Sequence, residues 1–237
     1  MRILGHRGAS ADAPENTLPA FQLALAQGAD GVEFDARLCG SGEVVVFHDE
    51  ALKRLTGHAG RVAQTPWSTL RTLEVATSQG RAPIPLLQEV LEALPRTAWL
   101  NVELKADRGW LRLAARAARL LVEGGHQSHV VVSSFHPLCL LAVGAVAPTL
   151  RRGYLLEPGR PAWLDAGPLA LWAGRDAVHP SDKELTEEEV RLWHTRGREV
   201  SVWTVDQPAR ARTLARWGVD TLITNRPGVL RAALGKA

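Results

Sequence analysis

The sequence is poor in several features that would place it in a specialised class. It has only two cysteines, Cys39 and Cys139, in neither a metal-type nor a redox-type spacing, so we expect both to be reduced and packed. No apolar run is long enough to span a bilayer, and the N-terminal stretch turns polar within five residues, which excludes the apolar core of a signal peptide. We therefore expect a cytoplasmic protein with no stable membrane anchor.

An excess of charge of one sign is also absent. The formal net charge is only +3 and no long basic run occurs, so the sequence has no basic patch of the kind that binds nucleic acid. Hydrophobic and charged content is that of an ordinary globular protein, and 237 residues fit one large domain or two small ones. The composition leaves the oligomeric state open.

Short apolar runs alternate with amphipathic stretches along the chain. Apart from a hairpin piece at 43–48, they amount to close to eight strand–helix units of about 30 residues each, as a (β/α)8 TIM barrel requires. The candidate strands are 3–5, 31–38, 98–105, 129–135, 152–157, 177–180, 199–205 and 219–224. We predict an α/β barrel as one domain over 1–237, with a doubly wound open sheet as the alternative.

One segment interrupts this alternation. Residues from about 50 to 85 have a loop-like pattern, with glycine at 57 and 60 and one short candidate helix over 66–73. We predict that this segment is a small insertion after the second β/α unit.

The second candidate strand, Gly31–Leu38, carries two acidic residues, Glu33 and Asp35. Residues two apart on a strand point to the same side, so both carboxylates face one side of an apolar element. Burying two like charges is costly unless a cation or a proton compensates them, and a divalent metal bound by carboxylate oxygens does so. A pair at a solvated strand end would need no metal, so the pair alone leaves both interpretations open.

Polar side chains lie at the C-terminal ends of most other candidate strands, where a barrel carries its active site. They are His6 and Arg7 on the first strand, His48 and Asp49 after the hairpin piece, Glu103 and Lys105 on the third, Ser133, Ser134 and His136 on the fourth, Glu157 on the fifth, and Trp203 with Asp206 on the seventh. This combination indicates a site that handles phosphate. Three carboxylates bind a hard cation, Arg7 and Lys105 add positive charge, and one histidine can accept a proton while the other donates one.

A series of short motifs follows the same path along the chain. They are His6-Arg7-Gly8, Pro14-Glu15-Asn16-Thr17, Glu33-x-Asp35, His48-Asp49, Leu52-x-Arg54-x-Thr56-Gly57, Ile84-Pro85, Glu103-Leu104-Lys105, Ser134-Phe135, Trp203-Thr204, Gly218-Val219-Asp220 and Ile223-Thr224. In these motifs and their order the chain resembles the glycerophosphodiester phosphodiesterase family, over nearly its whole length. That family is similar to the phosphoinositide-specific phospholipases C.

The resemblance implies a (β/α)8 barrel that hydrolyses glycerophosphodiesters to glycerol 3-phosphate and an alcohol, with a divalent cation, Mg²⁺ or Ca²⁺. The residue roles that it implies are metal binding for Glu33, Asp35 and Glu103, general base for His6, general acid for His48, phosphate contact for Arg7 and Lys105, and a place on the glycerol side for Trp203. Attack by the glycerol hydroxyl, through a cyclic phosphate, and direct attack by water both stay open.

Three local features bear on these roles. Family members often have Thr where Leu86 stands and Asp where Asn225 stands, and we expect both departures to affect loop detail rather than chemistry. The Pro14–Thr17 stretch is typical of a helix start, so we expect Asn16 or Thr17 to cap the helix that follows. Alternatively, Glu15 or Asn16 contacts the metal ligands and supports them.

Two other functions compete with this expectation. A lysophospholipase D would need an apolar groove near the mouth, and the apolar residues of the insertion are sparse, which favours small deacylated substrates. A barrel that binds phosphodiesters without turnover would not need the complete set of catalytic residues. The expected partner is thus a small glycerophosphodiester, whose leaving alcohol the sequence does not identify.

Overall fold

Eight parallel strands close into a ring. The computed structural model describes residues 1–156, 168–183 and 185–235. Its strands are β1 Arg2–His6, β2 Gly31–Leu38, β3 Val44–Val46, β4 Glu74–Thr77, β5 Gly80–Pro83, β6 Trp99–Leu104, β7 Val130–Ser134, β8 Arg151–Leu155, β9 Ala177–His179, β10 Glu199–Val202 and β11 Thr221–Thr224. The ring order is β1-β2-β6-β7-β8-β9-β10-β11, and β1 pairs with both β2 and β11. The predicted barrel is confirmed, because an open sheet would leave two unpaired edges.

Helices surround the ring. They are α1 Leu18–Ala26, α2 Lys53–Thr56, α3 Trp67–Leu70, α4 Leu87–Ala93, α5 Trp110–Glu123, α6 Pro137–Val146, α7 Pro168–Ala173, α8 Glu187–Thr195, α9 Pro208–Trp217 and α10 Pro227–Leu234. Among the described residues no helix is long and apolar enough to cross a membrane.

The helices follow from local sequence signals. In α5 the buried residues recur at helical spacing, with Leu113, Ala117 and Leu121 facing the ring. Thr186 and Glu189 form a capping box at the start of α8, where the Thr186 hydroxyl accepts from the Glu189 amide over 3.3 Å and the Glu189 carboxylate accepts from the Thr186 amide over 3.0 Å. Each outer helix thus buries an apolar stripe against the barrel.

The insertion is more ordered than its sequence pattern indicates. The hairpin of β2 and β3 is confirmed, but the region from about 50 to 85 contains α2, α3 and the antiparallel pair β4–β5. It has an apolar cluster of its own, which includes Phe47, Leu52, Leu70 and Val75. The candidate helix over 66–73 is confirmed by α3. The expectation of a loop elsewhere in the segment is wrong, because its buried residues come singly, without a helical or strand period.

The position of the insertion also differs from the expectation. Helix α4 follows it directly and packs against the ring with Leu87 and Val90. Because α4 is the helix of the second β/α unit, the insertion lies inside that unit, between β2 and α4, and not after it.

Candidate active site

The mouth of the ring brings the predicted site residues together. His6 at the end of β1 stands beside Glu33 on β2, and Asp35 on β2 stands beside Glu103 on β6. Neighbours in register on parallel strands point to the same face, so these four side chains meet at one end of the barrel interior. The site therefore arises because side chains alternate in direction along β2 and β6, and those of matching register point into the barrel mouth.

Three buried carboxylates form its centre. Glu33, Asp35 and Glu103 are 3%, 1% and 9% exposed, and each offers an oxygen within 4.8 Å of the oxygens of the other two. In the parts of the chain that the structure describes, no other group of carboxylate, histidine or cysteine side chains is close enough to share a metal ion. A donor set made only of oxygens suits a hard divalent cation.

Two cationic side chains compensate part of this charge. The Lys105 ammonium lies 3.0 Å from Asp35 Oδ1 and also contacts the Glu103 carboxylate. Arg7 Nε lies 3.3 Å from Asp35 Oδ2, and the Arg7 backbone amide donates to Glu33 Oε2 over 3.0 Å. Three carboxylates against two cations leave one negative charge uncompensated at the centre.

The pKa values of the three carboxyls reflect this imbalance. Burial, and then repulsion from Asp35, raises the pKa of Glu33 to about 8. Burial also raises the pKa of Glu103 to about 7, against the opposing effect of Lys105. The pKa of Asp35 stays below its ordinary value in spite of burial, because Lys105 and Arg7 stabilise the anion. Carboxyls that hold protons near neutral pH fit a divalent cation, since the cation takes the place of those protons.

The turn before α1 contacts this centre directly. The amide nitrogen of Asn16 donates to Asp35 Oδ2 over 2.7 Å, and its amide oxygen accepts from the Asp35 backbone amide over 3.2 Å. Thr17 takes the N-cap position of α1, as expected, but its hydroxyl donates to the Pro14 carbonyl over 2.6 Å and makes no hydrogen bond to the helix. The buried Asn16 side chain instead orients Asp35.

Backbone strain is concentrated at the same place. Arg7 and Asn16, with φ of 55° and 59°, are the non-glycine residues of the described chain in the left-handed region. Such a conformation costs on the order of 1 kcal/mol and is found where the surroundings enforce it. Glu15 accepts from Arg7 Nη1 over 2.8 Å and from Arg54 Nη2 over 2.9 Å. The turn therefore joins the barrel mouth to the insertion.

The two predicted catalytic histidines have different partners. His6 Nδ1 lies 2.8 Å from Asn225 Oδ1, and its Nε2 lies 3.9 Å from Glu33 Oε2. His48 Nδ1 lies 2.7 Å from Asp49 Oδ1. Burial lowers the pKa of both histidines below the ordinary value. Both rings line one cavity.

That cavity has a polar and an apolar wall. Its volume is about 150 Å³, and the polar wall includes the predicted histidines, Arg7, Lys105 and two of the carboxylates. The apolar wall consists of Phe135, Leu155, Trp203 and Ile223. The Trp203 ring packs edge-on against Phe135 at 5.9 Å, and its Nε1 donates to a backbone carbonyl of β9 over 2.8 Å, which fixes the ring.

Size alone does not identify this cavity as the site. A groove of about 310 Å³ lies outside the ring, along α4 and α5, and includes Arg116 and Arg119. Because it lacks a group of convergent metal-ligating side chains among the described residues, the chemistry points to the mouth.

Other polar residues from the strand ends have structural contacts. The His136 Nδ1 accepts from the Cys139 amide over 3.2 Å and caps α6, and the Ser134 hydroxyl donates to the Leu104 carbonyl over 2.8 Å. Glu157 lies outside the described residues.

Two polar residues at the site, Asn101 and Asn225, were not predicted as site residues, nor were the apolar wall residues Phe135, Leu155 and Ile223. Asn101 lines the cavity, and strand alternation could have found it, because it stands two residues before Glu103 on β6. Asn225 contacts His6 and therefore lies at the site, although its departure from the family pattern was expected to concern loop detail. The reason is ring closure, which brings the end of β11 beside the end of β1.

Comparisons with known proteins agree with this geometry. Residues 6–229 match the glycerophosphoryl diester phosphodiesterase family. A glycerophosphodiester phosphodiesterase of Caldanaerobacter subterraneus subsp. tengcongensis is 30% identical over 234 residues, covering 96% of this chain and 95% of the relative.

Solved structures show the same architecture. A putative glycerophosphoryl diester phosphodiesterase from Silicibacter pomeroyi superimposes with a TM-score of 0.89 at 28% identity, over 99% of this chain and 93% of that one. An Oleispira antarctica phosphodiesterase, solved in complex with the product sn-glycerol-3-phosphate, gives a TM-score of 0.88 at 29% identity, over 99% and 96% of the two chains. The chain therefore belongs to the glycerophosphoryl diester phosphodiesterase family, as its motifs predict.

Proposed function

We propose that the protein hydrolyses small glycerophosphodiesters to glycerol 3-phosphate and an alcohol, with a carboxylate-bound divalent cation and two histidines as proton-transfer groups. The observation that carries this proposal is the buried group of Glu33, Asp35 and Glu103, two of which line a cavity that two histidines share. When ionised, these three carboxylates exceed the two adjacent cations by one charge. A cation bound to these carboxylates, Mg²⁺ or Ca²⁺, would supply positive charge against the phosphate oxygens.

The cationic side chains position the phosphodiester. Lys105 and Arg7 both line the cavity, and the carboxylates around them keep the pKa of each above its ordinary value in spite of burial. Both side chains are therefore charged at any working pH and can contact the phosphate oxygens. Since each also contacts Asp35, the same two residues link phosphate binding to the carboxylate centre.

The histidines divide the proton transfers. His6 accepts the proton of the attacking oxygen, which belongs either to the glycerol hydroxyl or to water. His48 donates a proton to the oxygen of the leaving alcohol. In the direct route, His6 then passes its proton to solvent and His48 regains one from solvent. In the cyclic route, the second step reverses the roles: His48 accepts the proton of water, and His6 donates to the glycerol oxygen that leaves the phosphate. Either route consumes one water molecule and returns both imidazoles to their starting state.

The size of the cavity favours a deacylated substrate. Sites for drug-sized ligands measure roughly 300–1,000 Å³, whereas this cavity has about 150 Å³. A glycerophosphate unit fits such a space with its carbon side against Trp203 and Phe135, while a long acyl chain would need a groove that these residues do not provide.

The test is product formation under controlled metal. The purified protein is incubated with glycerophosphocholine and with glycerophosphoethanolamine, in Mg²⁺, Ca²⁺ or EDTA, and glycerol 3-phosphate and free alcohol are assayed. We expect both products in equal amounts, lost in EDTA and in Glu33→Gln, but kept in the matched control Glu92→Gln on the exposed face of α4. Equal turnover in EDTA, or no product with either metal, would overturn the proposal.

A further inference from the structure

A chain of hydrogen bonds runs from His6 away from the cavity. The Nδ1 atom of His6 lies 2.8 Å from Asn225 Oδ1, while its Nε2 is the ring nitrogen on the side of Glu33, at 3.9 Å from Oε2. The two nitrogens therefore face different groups, and the question is which of them carries the hydrogen.

The orientation of the Asn225 amide answers it. Its Nδ2 lies 2.7 Å from Asp206 Oδ2, and a carboxylate can only accept, so the nitrogen end of the amide faces Asp206 and the oxygen end faces His6. The Ser10 hydroxyl lies 2.7 Å from the same oxygen and donates to it in this orientation. The Asp206 carboxylate therefore determines the orientation of the Asn225 amide, and the Ser10 contact is compatible with it.

Asp206 is itself fixed. Its Oδ1 accepts from the Asn225 backbone amide over 2.8 Å and from the Thr224 hydroxyl over 3.0 Å. With Oδ2 bonded to the Asn225 side chain, both of its oxygens are engaged by the end of β11. A flip of the Asn225 amide would aim its carbonyl at this carboxylate and leave Nδ2 facing His6, so two acceptors would oppose each other.

We propose that Asp206 and Asn225 are positioning residues that hold His6 in the tautomer with hydrogen on Nδ1. Because Asn225 Oδ1 only accepts, Nδ1 must donate, and the lone pair of the neutral ring is then on Nε2, which faces the cavity. This is the arrangement that a base needs for taking a proton from the attacking oxygen. The proposal rests on the proposed function, since it concerns how His6 performs its role there.

Removing the acceptor is the first test. Asn225→Ala frees the ring to take either tautomer and to rotate, so we expect kcat for glycerol 3-phosphate release to fall by about 10²-fold, while KM changes by less than about threefold. Unchanged KM is expected because Asn225 is not part of the cavity wall. The control is Asp12→Asn, whose carboxylate contacts Gln27 on the barrel exterior. A wild-type kcat in Asn225→Ala would overturn the proposal.

An exchange of the two side chains separates positioning from a general effect on folding. Asn225→Asp alone sets a carboxylate against that of Asp206, and we expect kcat to fall. The double variant Asp206→Asn with Asn225→Asp restores one donor and one acceptor at each contact: the amide at 206 donates to the carboxylate at 225, which accepts from His6 and Ser10. We expect its kcat to return to within about tenfold of wild type. A double variant no better than Asn225→Asp would contradict the proposal.

A spectroscopic readout makes the test independent of turnover. In protein labelled with ¹⁵N-histidine, with Mg²⁺ present and the imidazole neutral, the His6 signals, assigned by comparison with His6→Gln, should show hydrogen on Nδ1 in the wild type and a mixture of tautomers in Asn225→Ala. Hydrogen on Nε2 in the wild type would overturn the positioning role. Loss of all phosphodiesterase activity in the wild type, with the Nδ1–H signature intact, would instead overturn the proposed function alone.

Discussion

The site has two unlike halves, one built by the barrel ring and the other by the insertion. His6 stands at the end of a ring strand, its side chain is 17% exposed, and its partner is the neutral amide of Asn225. His48 follows β3 outside the ring, its side chain is 32% exposed, and its partner is the carboxylate of Asp49. One histidine therefore has a neutral acceptor, and the other has an anionic one.

The charge of the partner decides what each imidazole is suited to do. A neutral acceptor stabilises the imidazolium only weakly, whereas a carboxylate stabilises it strongly. The pKa of Asp49 is lowered to about 2, chiefly by its hydrogen bond from Arg54, so this partner is ionised throughout the working range. The ring half suits a base that starts neutral. At His48, the Asp49 carboxylate opposes the lowering of the pKa by burial, so the insertion half favours the protonated form more than a neutral partner would. The unlike partners thus agree with the proposed roles.

Loss of either imidazole should have the largest effect. We expect His6→Gln and His48→Gln to lower kcat by about 10³-fold each, because each removes one proton-transfer group. The matched control is His136→Gln, which removes a histidine that caps α6. Steady-state kinetics on glycerophosphocholine measure all three, and a loss below about tenfold in either site variant would contradict the assignment.

A smaller effect should follow when the two halves are made alike. Asp49→Asn gives His48 a neutral partner, like that of His6, and removes the charge that stabilises its imidazolium. We expect kcat to fall by about 10- to 10²-fold, less than in His48→Gln, because the ring itself remains. Asp12→Asn, whose exposed carboxylate contacts Gln27, is the control. Full activity in Asp49→Asn would mean that the carboxylate has no part in proton donation.

A still smaller effect is expected from the outer support of Asp49. Arg54 donates to Asp49 Oδ1 over 2.8 Å and to Glu15 Oε1 over 2.9 Å, and its side chain is 49% exposed. Arg54→Met should lower kcat by no more than about tenfold, because exposed ion pairs contribute little. The ratio of kcat in Arg54→Met to kcat in Asp49→Asn measures how much of the effect of Asp49 on His48 depends on Arg54. A larger loss than in Asp49→Asn would make Arg54, and not Asp49, the principal support.

The carboxylate centre between the two halves predicts a pH dependence of stability. The pKa values of Glu33 and Glu103 are raised from 4.5 to about 8 and about 7, so the folded, metal-free protein binds more protons than the unfolded chain between these values. Stability therefore falls as pH rises through this window. Thermal melts in EDTA should show a decreasing midpoint from about pH 6.5 to about pH 8, above the range in which the lowered pKa values of His6, His48 and His179 change stability in the opposite sense. Mg²⁺ or Ca²⁺ should reduce the decrease. A melting midpoint that rises over this pH range in EDTA would contradict an uncompensated negative charge at the carboxylate centre.

Much of the ring half could be predicted from sequence, and less of the insertion half. Strand alternation placed Glu33, Asp35 and Glu103 on one face, because a period of two needs only local information. The contact of Asn225 with His6 depends on ring closure between residues 219 positions apart, and no local pattern reports it.

The insertion resisted prediction for another reason. Its buried residues, such as Leu52 and Leu70, lie in short irregular elements whose apolar positions have no period. At the start of α1, Thr17 is the N-cap residue, but its hydroxyl bonds to the Pro14 carbonyl. The Asn16 side chain bonds to Asp35, a partner that only the folded turn brings near. Tertiary contacts in both cases overrode the local signal.

The roles of the two histidines are tested most directly with a substrate that needs no acid. In an aryl ester of glycerol 3-phosphate, such as the nitrophenyl ester, the leaving group departs as an anion, so proton donation becomes unimportant while proton acceptance does not. The activity of His48→Gln and His6→Gln, each relative to wild type, is measured on this ester and on glycerophosphocholine. We expect the loss in His48→Gln to shrink to within about tenfold on the ester, while His6→Gln keeps its full loss. Recovery of His6→Gln with no recovery of His48→Gln would contradict the assignment of base to the ring half and acid to the insertion half.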